Sequence, residues 1–393
     1  MTVSSVSESR LSASSVRRVL AEAAVVLAGA GLVLLAIGAN QAWLDRHILP
    51  SFFLMRRWYV FLESSVRIAM AMAGVGLVLG LRRRAGRVAA RRPAGVVAAL
   101  LAVVLAIGAG AVVLAWRHPS TQWLLAGVEP LRRPDPLLGW TFVPSRTGRK
   151  TVSGRVIQFA FDADGHRVRG LDDPVNPARP TIVFSGESVM VGEGLTWSET
   201  IPAQVGAMLG VQSANLAVHG YATDQSYMRL KAELPRFQRP VAVVSLFMTA
   251  LFGRNLDDDR PHLGPGLIWR PAVEHSRIFS LAKLIVPFRR DVTVERGLTI
   301  TREVLRATSA LATARGATAL IVVPQFNRED AAERMLRRRI LGEAGLPYVF
   351  VEFAGDWRLS GDVHPNASTA HEIAVAIANR LREQLSTVAA QSQ

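Results

Sequence analysis

The sequence predicts an α/β domain with a parallel, doubly wound sheet, carried behind three transmembrane helices. Three observations predict it. Half of the 393 residues are apolar, and they are crowded toward the N-terminus. Beyond residue 117 the pattern changes to short β-branched runs alternating with helical periodicity, the signature of strands covered on both faces. The charge is divided in the same way: residues 1–117 carry 14 basic and 4 acidic residues, and the rest carry 32 and 27. Most of the formal net charge of +15 therefore flanks apolar helices, where arginine acts as a topology signal and headgroup contact. This argues against nucleic acid as a partner and for a lipid bilayer. There is no cysteine, which removes disulfides, thiol catalysis and zinc–thiolate sites.

The elements follow in chain order. Arg17 and Arg18 precede an apolar run from about 19 to 39, interrupted only by Glu22 and long enough to span a bilayer. A cleaved signal peptide is the rival reading, but no small-x-small site precedes a polar mature start. A second span, about 60–81, requires the helix to begin near Tyr59, which sets Glu63 and Arg67 one turn apart and able to pair. The stretch LRRRAGRVAARR then reads as a six-arginine loop, and 94–116 is a third, charge-free span. Trp43, Trp58 and Trp116 stand near span ends as interface anchors. A cytoplasmic arginine loop puts the N-terminus inside and everything after residue 117 outside, which predicts a multi-pass cytoplasmic-membrane protein with an extracytoplasmic C-terminal domain.

Residues 118–178 read as a linker and a small β extension, and 179–393 as the α/β domain, with an insertion at about 251–297. Strands are expected at 181–186, 213–220, 241–248, 317–326 and 347–353, and helices at 200–209, 224–234, 301–315, 329–344 and 367–385.

Chemistry concentrates at two places. TIVFSGESVMVGEG, residues 181–194, ends a buried strand in a tight turn that exposes Ser188 at the rim of the sheet, with backbone N–H groups nearby. A turn of this kind is common punctuation on its own. The far end of the chain, SGDVHPNAS, adds Asp362 and His364 just before the last helix, at the same edge of the sheet. A serine nucleophile needs a base for its proton, and the base needs a carboxylate to fix its tautomer.

From about Asp135 onward the chain resembles the SGNH, or GDSL, hydrolase superfamily, and within it the membrane-anchored bacterial members. The segment DPLLGW (135–140) and a β region precede the core, Gly186-Glu187-Ser188 matches the first block, NLAVHGYATDQ the second, and Asp362-Val363-His364-Pro365-Asn366 the last. The resemblance implies a flavodoxin-like α/β/α domain. It also implies a triad of Ser188, His364 and Asp362, and an oxyanion hole from the N–H groups of Ser188 and Gly220. It implies no metal and no cofactor. The chain departs from the family pattern at two places. Glu187 replaces an aspartate, and the third block, SLFMTALFGRN, has Thr249 and Ala250 where an asparagine donor is expected. Loss of such a donor costs about 3–4 kcal/mol of transition-state stabilisation; Asn255 and Thr249 are the candidates to replace it. Glu187, His219 and Tyr221 are candidates to contact substrate. NLDDDRPHL (255–263) invites a metal reading, but consecutive carboxylates do not converge on one centre and a solvated turn is favoured. MLRRRI (335–340) reads as a solvated helix face.

The resemblance points to a serine esterase or O-acyltransferase acting on acetyl or other acyl esters of cell-envelope or exported polysaccharide. Transfer, unlike hydrolysis, would call for a membrane acyl-donor partner. The alternative is a glycan-binding or assembly component whose catalytic site has decayed, suggested by the missing third-block asparagine.

Overall fold

The computed structural model describes residues 13–49, 56–117, 131–275 and 288–391, which fall into two units: residues 1–45 with 57–119, and residues 46–56 with 120–393.

The first unit is helical. Helices α1 (Ala13–Gly38), α2 (Gln41–His47), α3 (Arg56–Gly76), α4 (Arg82–Arg91) and α5 (Pro93–Arg117) follow one another, and a π-helical turn at Leu77–Leu81 joins α3 to α4 as one rod. α1 and this rod run antiparallel, because Gly29 faces Gly74 and Glu22 faces Gly86. A Cβ on Gly29 would come within 2.6 Å of the Gly74 carbonyl oxygen, so the absent side chains are what allow the backbones to meet.

Three expectations change here. Among the described residues two helices are long and apolar enough to cross a membrane, α1 and the α3–α4 rod, where the sequence predicts three. The third, α5, is present as a helix, and several of its side chains lie outside the described residues. The six-arginine segment is helix rather than loop up to Arg91. Arginine and alanine are strong helix formers and Pro93 is the first breaker. Glu63 and Arg67 do not pair: Glu63 accepts from Gln41 Nε2 at 2.7 Å, and Arg67 donates to the Ala36 carbonyl at 3.0 Å.

The second unit is α/β. A hairpin of β1 (Arg132–Asp135) and β2 (Gly139–Phe142) precedes β3 (Arg146–Val152), β4 (Arg155–Phe161) and β5 (Arg167–Val168). The core strands are β6 (Pro180–Ser185), β7 (Gln212–Asn215), β8 (Arg239–Leu246), β11 (Thr318–Phe326) and β12 (Tyr348–Phe353). A small hairpin, β9 (His262–Leu263) with β10 (Trp269–Arg270), lies in the insertion. The eight-stranded sheet has the order β12-β11-β8-β6-β7-β5-β4-β3. Its first five strands are parallel and the rest antiparallel. The parallel part is the doubly wound order in which the first strand lies between the second and third, so the topological switch point falls at the carboxyl end of β6. The β extension is thus not a separate layer, since β3 to β5 extend the main sheet beyond β7.

Strand residues alternate between two apolar layers. Ile182, Phe184, Val244 and Val322 pack with residues of α7 (Ile201–Leu209) and α11 (Ala367–Gln391). On the opposite face Val183 and Val243 meet Leu230 of α8 (Thr223–Glu233) and Ala312 of α9 (Asp291–Ala314), while Ile321 and Val323 meet Leu336 of α10 (Ala331–Arg337). The α9 helix begins ten residues earlier than its periodicity indicates. Its first turn adjoins the stretch 46–49, where Ile48 forms an antiparallel bridge with Phe288. The Arg289 N–H donates to the His47 carbonyl at 2.7 Å, and Arg46 pairs with Asp291 and Glu295.

Candidate active site

The β6 strand ends at Ser185, and α6 (Ser188–Val191), a single helical turn, begins after two intervening residues. Gly186 is required at that bend, because a Cβ there would fall 2.7 Å from Leu246 Cβ. Glu187 is the helix cap: its Oε1 accepts from the Val189 N–H at 3.0 Å. Ser188 is the first helical residue, so its own N–H has no intrahelical acceptor.

The turn is braced from below. Arg167, fully buried, donates from one guanidinium to the carbonyls of Val191, Gly192 and Leu195 at 2.6–2.7 Å and stacks over Phe159. Burial pushes Arg167 down to about 10, against the pull of Glu193 and Glu199. Asn215 Nδ2, at the end of β7, donates to the Met190 carbonyl at 3.0 Å.

The base arrives from the other end of the chain. His364 and Asp362 sit in the loop that leads into α11, closed by the Leu359 N–H on the His364 carbonyl at 2.9 Å. Asn366 caps the helix by accepting from Thr369 N–H at 2.9 Å. His364 Nε2 lies 2.9 Å from Ser188 Oγ, and His364 Nδ1 lies 2.6 Å from Asp362 Oδ1. The hydrogen bond with His364 holds the Asp362 carboxyl below its ordinary range, so it stays an anion where the imidazole needs one. The Nδ1–H is thereby committed to Asp362, and Nε2 faces the serine.

Gly220 follows β7 with φ +76, and its N–H makes no hydrogen bond among the described residues. The DPLLGW segment holds that loop in place. Trp140 Nε1 donates to the His219 carbonyl at 2.8 Å, the Tyr221 hydroxyl donates to the Trp140 carbonyl at 2.6 Å, and Gln225 Nε2 donates to the Leu138 carbonyl at 2.7 Å.

The remaining candidates are located as follows. Tyr221 is buried, and its hydroxyl braces the loop by donating to the Trp140 carbonyl. His219 is held by Glu193, which Lys150 also contacts at 2.5 Å. Burial alone would raise the Glu193 carboxyl, but His219 and Lys150 hold it well below its ordinary range. The imidazole thus leans on a buried anion and packs edge-on against Phe142, a position that favours support over substrate contact. Asn255 is engaged elsewhere. Its amide is spent on Thr223 and Thr301, at 2.9–3.0 Å. Thr249 is buried and its hydroxyl donates to Gln325 Oε1 at 3.2 Å. The side-chain donors of both are therefore committed to other partners. In the 255–263 stretch Asp257 contacts Arg289 and Arg260, and Asp258 contacts His275 at 2.7 Å, ion pairs that accord with a turn.

One group at the site was not singled out in the sequence. Arg254, on the 3₁₀ helix Thr249–Leu256 that follows β8, reaches Glu187 Oε2 at 3.4 Å and the Tyr221 carbonyl at 3.5 Å. Its only sequence signal is its place at the end of the third block.

No family model and no curated protein matches the chain. Solved structures do. One is a lipolytic protein of the G-D-S-L family from Desulfitobacterium hafniense, 10% identical over 51% of this chain and 98% of that chain, with a TM-score of 0.34. Another is a carbohydrate esterase family 2 enzyme with a carbohydrate-binding domain from Corynascus thermopiles (Myceliophthora fergusii), 17% identical over 59% and 72%, with a TM-score of 0.34. A third is a GDSL-like lipase from Bacteroides thetaiotaomicron, 14% identical over 52% and 88%, with a TM-score of 0.31. At such identities and scores, function has to be read from the residues of this chain. What the chain is similar to, by these comparisons, is a set of G-D-S-L-family and carbohydrate-esterase structures.

Proposed function

We propose that the protein is a membrane-anchored, extracytoplasmic serine esterase or O-acyltransferase of the SGNH type. The observation that carries the reading is the line from Ser188 Oγ through His364 to Asp362, with contacts of 2.9 and 2.6 Å, at the switch point of a doubly wound sheet. In acylation Ser188 Oγ bonds to the ester carbonyl carbon as its proton passes to His364 Nε2. The carbon–alkoxy bond then breaks and the alcohol leaves with that proton. In the second half a water, or a sugar hydroxyl in transfer, gives its proton to His364 and bonds to the acyl carbon, and Ser188 regains its proton as it leaves. Asp362 stays charged throughout and stabilises the imidazolium. The N–H groups of Ser188 and Gly220 receive the oxyanion in both halves.

Acyl esters of envelope or exported polysaccharide, acetyl esters above all, are the proposed substrates. The membrane side is supported by the distribution of arginine along the apolar N-terminal part. The α1/α3–α4 pair gathers Arg17, Arg18 and the Arg82–Arg91 helix at one end. With the Arg82–Arg92 segment inside by the positive-inside rule and residues 94–116 as a further span, the chain after residue 117 is extracytoplasmic.

A fluorophosphonate probe tests the nucleophile. The expected result is labelling of the detergent-purified protein that is lost in Ser188→Ala and strongly slowed in His364→Ala, with acetyl-ester turnover falling in parallel. Absence of both labelling and acetyl-ester turnover in the folded parent would replace the enzyme with the glycan-binding alternative.

A further inference from the structure

Ser188 has one proton and two neighbours able to take it. His364 Nε2 is 2.9 Å from its oxygen, and Glu187 Oε2 is 2.5 Å from it on another side. With Nδ1–H committed to Asp362, the neutral imidazole offers Nε2 as a bare acceptor, so it competes with the Glu187 carboxylate for the same hydrogen. A carboxylate this close also opposes the negative charge that gathers at the carbonyl oxygen as Ser188 attacks. Glutamate reaches the hydroxyl because it is one methylene longer than the aspartate of the family pattern. Left alone, the substitution would work against catalysis.

Arg254 stands where it can offset this. Its Nη1 is 3.4 Å from the same Oε2 that touches Ser188, and 3.5 Å from the carbonyl of Tyr221, which follows Gly220. One guanidinium therefore ties the nucleophile turn to the oxyanion loop. It comes from the segment after β8, the block that lacks the asparagine donor, while its neighbours Asn255 and Thr249 are engaged elsewhere. Glu187 Oε1 is fixed by the Val189 N–H, so the carboxylate cannot swing away and the cation beside Oε2 is its only described counter-charge.

We propose, resting on the reading of Ser188 as nucleophile, that Arg254 is the positioning residue of this site. Through Glu187 it fixes and neutralises the carboxylate, so that the Ser188 proton goes to His364. It acts through Glu187 and the Gly220 loop, not on the substrate.

A double-mutant cycle on the full chain in detergent, read as the rate of fluorophosphonate labelling, tests this. Arg254→Ala leaves the Glu187 carboxylate unopposed and is expected to slow labelling by about fivefold to a hundredfold. Arg254→Lys, which keeps the charge and loses the fork, is expected to recover part of the rate. The pair Arg254→Ala with Glu187→Gln is expected to label faster than Arg254→Ala alone, because the charge that needed neutralising is gone. A merely structural brace gives the opposite order, the double variant no faster than the single. That order, or an Arg254→Ala loss smaller than about fivefold, overturns the proposal. Thermal melts report folding of each variant. If Arg254→Ala does not fold, Arg254→Met, which keeps the apolar stem and removes the charge, carries the same comparison with and without Glu187→Gln. Labelling of the parent that vanishes in Ser188→Ala shows that the nucleophile reading stands, so a failed cycle then counts against Arg254 alone.

Discussion

Histidines in this molecule work by the company they keep. His364 faces Ser188 with one nitrogen and Asp362 with the other, while His166 is sealed inside the unit between Asp162 and Glu233, at 3.4 and 3.8 Å. Burial pushes His166 down, but the two carboxylates outweigh it and raise the imidazole above 6.5. The same contacts outweigh burial at Asp162 and Glu233 and hold both below 3.8 and 4.5. A raised imidazole stabilises the fold fully below its unfolded value and loses that contribution as pH rises through the folded one. The depressed carboxylates contribute above their unfolded values and lose it as pH falls through the folded ones. The cluster therefore stabilises most between about pH 4.5 and 6.5. The melting-temperature gap between the parent and His166→Gln is expected to be largest there and to narrow on both sides. A gap that widens steadily from pH 6 to 9 would contradict the ion-pair assignment. Tyr221 is a second residue-scale case. Tyr221→Phe strips the Trp140 carbonyl of its donor and is expected to cost about 1–2 kcal/mol of stability with the Michaelis constant unchanged. A raised Michaelis constant with stability intact would place Tyr221 in the substrate-contacting set.

At the scale of elements, the nucleophile turn is set by what lies beneath it. The α6 helix is only four residues long and cannot hold itself. Arg167 of β5 supplies donors to three carbonyls around it, and Asn215 of β7 to a fourth. Arg167→Met keeps much of the apolar stem but leaves these buried acceptors bare. A loss of about 3 kcal/mol is expected from chemical denaturation, with labelling of Ser188 slowed in the protein that remains folded. This dependence explains which parts of the site were legible in the sequence. Ser188, Asp362 and His364 each sit beside turn punctuation, Gly186, Gly361 and Pro365, so their location at strand and helix ends could be read locally. The core strands carry β-branched runs and are legible in the sequence to within two residues, except that β7 ends at Asn215, five residues before its apolar run does. Arg254 was not legible, because its approach to Glu187 depends on how the 3₁₀ helix after β8 winds. Nor was the attachment of β3 to β5, since the junction with β7 is the single pair Arg167–Asn215, with no hydrophobic period to announce it. The helical arginine segment was missed because charge density was read as a loop, although nothing in its composition breaks a helix.

On the scale of the whole molecule, the stretch 46–49 is the most informative part of the N-terminal sequence. Leu49 is buried in the apolar layer that holds Phe252 and Leu298, and Ile48 bridges Phe288. The extracytoplasmic topology proposed above predicts that this bridge forms outside the cytoplasm. The chain has no cysteine, so an engineered pair can report this without interference. The 48–288 pair is flanked by the Arg289-to-His47 backbone bond and is therefore a non-hydrogen-bonded antiparallel pair, with Cα atoms typically about 4.5 Å apart, inside the range a disulfide spans. Ile48→Cys with Phe288→Cys is expected to form a disulfide in intact cells without added oxidant, visible as a mobility shift that reductant reverses. Only an oxidising, extracytoplasmic location allows this, and only the bridge brings the two sulfurs together. A reporter that fluoresces only in the cytoplasm, fused at the C-terminus, is expected to stay dark, and one inserted after Arg92 to fluoresce. A bright C-terminal fusion with two free thiols would put the domain inside. A dark fusion with two free thiols that remain unpaired under mild oxidation would keep the topology and remove the bridge, so the two claims stand or fall separately.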